Sequence, residues 1–366
     1  MKIKEIIAFL EAKCPPAFQE SYDNCGLITG NAELEAKAVL LSLDSTEEVI
    51  HEAIEKGCNM IIAHHPILFS PIKKITGRSY SERAIITAIK NDIAIYAMHT
   101  SLDNIAAGVN GKIAEILGLQ KTKALLPKKD ILLKLITYCP NNKAEEVRNA
   151  IFAAGGGVIG GYDQCSFNSQ GIGTFRAGKN TRPYVGNRGK IHYEEEERIE
   201  TIIPAHLENQ VVSALVQAHP YEEVAYDLYR LENITMQVGS GMVGQLPAPM
   251  KEKEFLAMLM NKMKLKCIRH SPFTGMKIEK IALCGGSGSF LLPNAITAGV
   301  QAFITADFKY HQFFDADSKL LIADIGHYES ERFTPEIVYD LLKEKFPTFA
   351  IQISKTNTNP VNYFLK

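Results

Sequence analysis

Four stretches of the chain place imidazoles and carboxylates directly after apolar runs. NMIIA (59–63) leads into His64-His65-Pro66, and IAIYAM (93–98) into His99-Thr100-Ser101-Leu102-Asp103. AFIT (302–305) leads into Ala306-Asp307, with His311 beyond. LLIA (320–323) leads into Asp324, Gly326 and His327, with Glu331 four residues on. Imidazole and carboxylate together suit Zn, Mn, Fe(II), Co or Ni better than Ca or Mg. Each stretch alone is weak: a His-His pair after a strand can face solvent, and an i, i+4 pair on a helix is ordinarily a surface contact. Pro66 stiffens the turn that lets His64 and His65 reach one place. His99 and Asp103 share the i, i+4 spacing, and either is a candidate ligand. Ligands gather at the carboxyl ends of strands in open α/β sheets, so four such endings point to one site. Three histidines and two carboxylates exceed what a single catalytic zinc with an open position needs. A carboxylate bridges two cations, whereas a neutral imidazole offers one lone pair. The set predicts two divalent metal ions that activate a water for hydrolysis, with Glu331 as the bridge.

Gly285-Gly286-Ser287-Gly288-Ser289 follows KIALC (280–284) and precedes a helix. Small residues there can turn backbone N–H groups toward an anion, which makes Gly285, Gly286 and Ser287 candidate substrate contacts; a permissive tight turn is the plain alternative. No Gly-Lys-Ser/Thr follows, so this is not a Walker loop.

The elements that must position these residues read as α/β. Residues 2–13 have helical spacing, residues 37–43 (KAVLLSL) form a buried strand, and Ser45 or Thr46 caps a helix to about Lys56. Strands are expected at 59–63 and 93–98, with helices at 81–91 and 110–117, the latter stopping at Gly118. The last third repeats the style with strands at 280–284, 302–305, 320–323 and 349–353, and Thr334-Pro335 opens a helix. Alternating strands and helices predict mixed, mainly parallel sheets. The middle differs: a strand at 131–138, a helix at 143–154, strand pieces near 164–168, 171–175 and 198–203, a helix from Pro204 to about Ala218, and extended chain at 221–231. That order, β-α-β-β-α-β, is the ferredoxin-like arrangement. The expected organisation is a core part at 1–126, an inserted α+β domain at 127–232, and the second core part at 233–366.

Composition narrows the function classes. The 366 residues exceed what one core commonly holds. Lys plus Arg number 40 and Asp plus Glu 41, a formal net charge of −1, so bulk electrostatics gives no case for nucleic acid. The longest like-charge run, Glu194 to Glu197, reads as a solvated face. The 7 cysteines include no Cys-x-x-Cys pair, which argues against a disulfide framework or zinc ribbon. The N-terminus makes a poor signal peptide and no apolar stretch reaches membrane-spanning length, so the expected location is the cytoplasm, with no membrane partner.

HHP, HTSLD and GHYESE, together with ITADFKYH and the glycine turn, resemble the Nif-three-like family, whose members are often labelled GTP cyclohydrolase I type 2. The resemblance covers the first and last thirds. It implies a dinuclear metal site at His64, His65, Asp103, His327 and Glu331, with His99, Asp307 and His311 around the metals. Where the family often has Thr-Gly-Asp, this chain has Thr305-Ala306-Asp307. The middle third resembles the PII/CutA-like insert of long members, and a toroidal homohexamer is implied. The label implies opening of a guanine imidazole ring, with His99 or His311 supplying a proton. The expected function is a dinuclear-metal-dependent hydrolase of a nucleotide-like small molecule. The competing reading is a metal-binding regulatory or scaffold protein that binds a transcription-related partner or nucleic acid.

Overall fold

The computed structural model describes residues 1–364. By its internal contacts the chain divides into two compact units, Met1–Pro127 with Met236–Lys366, and Lys128–Thr235.

The first unit holds two sheets. One has the order Gly26–Thr29, Ala94–Ala97, Met60–Ala63, Val39–Ser42, Ile351–Ile353; all pairs are parallel except the first. The second has the order Arg269–His270, Leu321–Asp324, Ala302–Ala306, Lys277–Ser287, Gly239–Lys251, Gln120–Pro127. Only its three central strands run parallel, so three of its five pairings are antiparallel. The fold is mixed α/β as the sequence implied, but "mainly parallel" holds for the first sheet alone. Strands Gln120–Pro127 and Gly239–Lys251 supply two of the antiparallel pairings. Lysines in the former, and glycines and prolines in the latter, hide them from an apolar-run reading.

Parallel strands buried on both faces need apolar residues throughout. Val39–Ser42, Met60–Ala63 and Ala94–Ala97 are buried at every position. Successive side chains alternate between the faces. Leu40, Ile61 and Ile95 pack under Val49, Ile50, Ala84, Ile85 and Ala88 of the helices Glu47–Glu55 and Tyr80–Lys90. Those helices start at Thr46 and Ser79, whose hydroxyls accept from the N–H groups of Val49 and Glu82. Leu41, Ile62 and Tyr96, facing the other way, share one core with Leu283, Ile304 and Ala323 of the second sheet. Strand ends of both sheets are therefore set by a single packed interior.

The second unit runs Leu132–Pro140, helix Ala144–Ala153, Ser166–Arg176, Ile191–Pro204, helix Glu208–Ala218, Tyr226–Arg230. Its antiparallel sheet has the order Ser166–Arg176, Ile191–Pro204, Leu132–Pro140, Tyr226–Arg230. The two pieces expected near 164–168 and 171–175 form one strand. The run Glu194 to Glu197 lies inside a strand; Glu195 is exposed as expected of a solvated face, but Glu196 is buried. Val147, Ile151, Val211 and Leu215 of the helices cover one sheet face through Leu133, Leu135, Ile199 and Ile203.

Among the described residues no helix is long and apolar enough to cross a membrane, and the seven cysteines are unpaired.

Candidate metal centre

In the first unit, the carboxyl ends of strands from both sheets open onto one cavity of about 970 Å³. His64 and His65 follow Met60–Ala63 directly. His99 and Asp103 bound a five-residue helix after Ala94–Ala97, and His327 and Glu331 bound another after Leu321–Asp324. Gly326, at φ 89°, makes the turn into that second helix.

Glu331 stands at the middle, 2% exposed. Its Oε2 lies 3.0 Å from His65 Nε2 and 3.1 Å from His327 Nε2, and those two nitrogens are 3.3 Å apart. Its Oε1 lies 3.7 Å from His64 Nε2, which is also 3.7 Å from Asp103 Oδ1. The donor atoms form three overlapping groups: His65–His327–Glu331 and His64–Asp103–Glu331, joined by one carboxylate, and His64–His65–His99. A tetrahedral ion with bonds of about 2.0–2.1 Å sets its ligands roughly 3.3 Å apart, so these spacings fit a small divalent cation.

Three imidazoles are oriented by carboxylates behind them. Nδ1–H of His65 donates to Asp44 Oδ1 at 2.8 Å, that of His327 to Asp307 Oδ2 at 2.7 Å, and that of His99 to Asp23 Oδ1 at 2.7 Å. An ionised carboxylate only accepts, so in each ring Nδ1 carries a proton and Nε2 faces the cavity. The Nε2 atoms of His65 and His327 converge with a carboxylate oxygen, as N–H donors when the rings are protonated and as lone pairs when they are neutral. Protons or a metal cation reconcile the three atoms. His64 is fully enclosed, and neither of its ring nitrogens has a hydrogen-bond partner; Asp103 Oδ1 is likewise buried and unpartnered. Buried polar atoms without partners are costly, which is the second sign that these residues could hold a cation. Imidazole with carboxylate matches borderline transition ions.

Electrostatics tells the same story. Burial, then the Glu331 carboxylate, raises Asp103 to about 8. Burial works against a charged His65, but the hydrogen bonds to Asp44 and Glu331 outweigh it and bring its pKa to about 9. The same opposition, with Asp307 and Glu331, takes His327 to about 11. Burial lowers the pKa of His64. Burial would also raise Glu331, yet the imidazoles around it hold it well below its usual range.

Asp307 and the glycines take roles the sequence did not give them. Asp307 adopts φ 59° and turns its carboxylate onto His327. Ala306, where the family often has glycine, is simply the buried last residue of its strand. Gly285, Gly286 and Ser287 end the strand Lys277–Ser287 rather than forming a loop before a helix. The N–H groups of Gly285 and Gly286 are taken by Asn110 Oδ1 and Ser330 Oγ, at 3.0 and 2.9 Å, which leaves them no donor for an anion. Their lack of a side chain has another use: a Cβ on Gly286 would come within 2.2 Å of Glu331 Oε1. Ser287 lines the cavity. His311 is not brought to it; it lies on the exposed turn Tyr310–Ala316 with its ring against Tyr310. Asp324 binds Arg269 and the N–H of Phe308.

Sequence reasoning missed Asp44 and Asp23. Asp44 follows the strand Val39–Ser42 and falls under the same strand-end rule, which was applied to only four strands. Asp23 sits in a loop before Gly26–Thr29 and carries no local signal. Residues 354–363 were also missed. Ser354, Lys355 and Thr356 donate to Glu52, Thr358 donates to Asp44 Oδ2 at 2.5 Å, and Asn359 to Glu329, so this segment walls the cavity.

Comparison with known proteins agrees with this architecture. A Bacillus subtilis (strain 168) protein named GTP cyclohydrolase 1 type 2 homolog is 37% identical over 366 residues, 98% of each chain. The crystal structure of a Bacillus cereus protein related to NIF3 superposes with a TM-score of 0.87 at 37% identity, covering 100% of this chain and 99% of that one. A Staphylococcus aureus structure gives 0.78 at 28% identity, with 100% and 99% covered. The family model for Duf34/NIF3 (NGG1p interacting factor 3) matches residues 1–360, and the chain belongs to that family.

Proposed function

We propose that the cavity around Glu331 is a dinuclear metal centre and that the protein is a metal-dependent hydrolase of a nucleotide-like small molecule, of the GTP cyclohydrolase 1 type 2 kind. The observation that carries this reading is the convergence of the His65 and His327 Nε2 atoms on Glu331 Oε2, while Glu331 Oε1 faces His64 and Asp103. When bound, two divalent cations supply Lewis acidity and lower the pKa of a water toward about 7. His64, Asp103, His65 and His327 would hold the ions, with Glu331 shared between the two groups. Asp44 and Asp307 fix the tautomers of His65 and His327. His99, backed by Asp23, presents Nε2 beside His64 and His65 and holds or delivers a proton to the leaving atom.

The walls favour a planar base. Tyr22, Phe69, Tyr80 and Phe290 line the cavity with exposed rings, and aromatic faces stack on nucleobases. Among the described lining residues Arg269 is the one Lys or Arg side chain, and it is tied to Asp324. The chain's own recognition therefore falls on the base, and a phosphate would be left to the metals.

The β-α-β-β-α-β order and antiparallel sheet of 128–235 support reading that unit as a ferredoxin-like, PII/CutA-like insert, and a toroidal hexamer is part of the proposal. The test is to load the protein with Zn, Mn, Fe(II), Co or Ni, count ions by mass spectrometry, and screen purine nucleotides, nucleosides and phosphoesters for metal-dependent turnover. Two ions and turnover support the proposal. Two ions without any turnover would favour a regulatory or scaffold role.

A further inference from the structure

The unit 128–235 encloses a second cavity, of about 610 Å³, which the metal centre does not use. We propose that it binds a small organic cation, an alkylated ammonium held between aromatic rings and a buried carboxylate. The volume lies in the range of small-ligand sites, about 300–1,000 Å³.

The carboxylate is Glu196, 9% exposed, on the sheet face opposite the one the helices cover. Burying a carboxylate is costly unless it is paired. Here the Tyr221 hydroxyl donates to Oε1 at 2.8 Å. Oε2 occupies space opened by Gly173, where a Cβ would come within 2.0 Å of it. The strand has made room for the charge rather than neutralised it with Lys or Arg.

One of the rings is fixed in advance. Tyr221 is held by its hydroxyl on Glu196, by its N–H on His219 Nδ1 at 3.1 Å, and by its ring edge on His219 at 5.0 Å. Phe175 and Tyr184 stand 6.1 and 6.2 Å from it, tilted by 59° and 52°. Three non-parallel rings beside a carboxylate form the corner that a cation prefers, since an ammonium within about 6 Å of a ring centroid is drawn to its face. Glu222 and Glu223 add negative potential at the lining. Of the two cationic lining residues, Arg198 is drawn to Glu200 at 2.9 Å and Arg176 ends its strand in an exposed position.

The proposal is independent of the metal reading. Calorimetric titration of the full chain with tetramethylammonium and with choline tests it, using 3,3-dimethylbutan-1-ol as the uncharged isostere of choline. Saturable binding of the cations is expected, with the isostere at least tenfold weaker. Glu196→Gln, which keeps an acceptor for Tyr221, should weaken choline by about tenfold or more, and Tyr184→Ala by roughly 2–30-fold. Tyr184 lies in an exposed loop, and an unchanged melting curve establishes that its variant folds. No saturable binding of either cation, equal affinity for the isostere, or indifference to both substitutions overturns the proposal.

Discussion

Asp307 Oδ2 lies 2.7 Å from Nδ1 of His327, across two neighbouring parallel strands. Asp44 makes the equivalent contact to His65 at 2.8 Å. Both carboxylates stand behind an imidazole whose other nitrogen faces Glu331. Asp307→Asn and Asp44→Asn should each weaken metal affinity by about 10–100-fold while leaving the fold intact. Competition with a chromophoric chelator measures this, and unchanged affinity in both variants would remove the pairs from the metal centre.

Glu331→Gln tests the bridge. An amide keeps the size but loses the charge and one of the two acceptor oxygens shared with the imidazoles. The bound stoichiometry should fall from two ions to at most one. Full retention of both would reassign the bridging role.

Gly286→Ala probes the same carboxylate from the backbone. At φ 61° an alanine is strained, and its Cβ would meet Glu331 Oε1. A loss of about 1–3 kcal/mol of stability is expected together with reduced metal content. Gly275, at φ 81° with open space around it, serves as the control: Gly275→Ala should lower the melting temperature but leave the metal content unchanged.

His99→Ala separates ligand from proton carrier. As a proton carrier it should keep both ions and lose turnover by about 10²–10⁴-fold. Release of metal from this variant would instead make His99 a ligand.

The protonation of the metal-free site sets a pH dependence. Asp103 rises from 3.8 to about 8 and His65 from 6.5 to about 9. A raised pKa contributes stability that is complete below the unfolded value and lost as pH climbs through the folded one. Asp103 acts from pH 3.8 to about 8 and His65 from 6.5 to about 9, so both act in the same direction between 6.5 and about 8, and the melting temperature of the chelator-treated protein should fall across that window. Metal binding displaces those protons, so affinity should rise over the same range. A flat melting profile would contradict the assignment.

Much of the metal site was legible because its residues follow apolar runs that pack as buried strands. His64, His65, Asp103, His327 and Glu331 are brought together by strand ends, which local sequence can mark. Asp44 follows a buried strand and was open to the same reading, whereas Asp23 sits in a loop and no local pattern announces its pairing with an imidazole distant in sequence. The glycine segment shows the limit of reasoning from residue type. Gly285 and Gly286 looked like donors for an anion, yet what Gly286 provides is the absent Cβ that admits Glu331, and Gly285 likewise leaves room for Val109. Helix Glu252–Lys262 and the strand Gly239–Lys251 before it escaped notice because charged residues, glycines and prolines blur their periodicity.

His65 and His327 face each other across 262 residues of sequence. On a ribosome adding about 5–20 residues per second, the second imidazole emerges roughly 13–50 s after the first. Throughout that interval the nascent chain displays His64, His65, His99 and Asp103 without the carboxylate that divides them into two sites. If the site is the dinuclear centre proposed, its full ligand set exists only after Glu331 has been added, so complete metal loading has to follow synthesis.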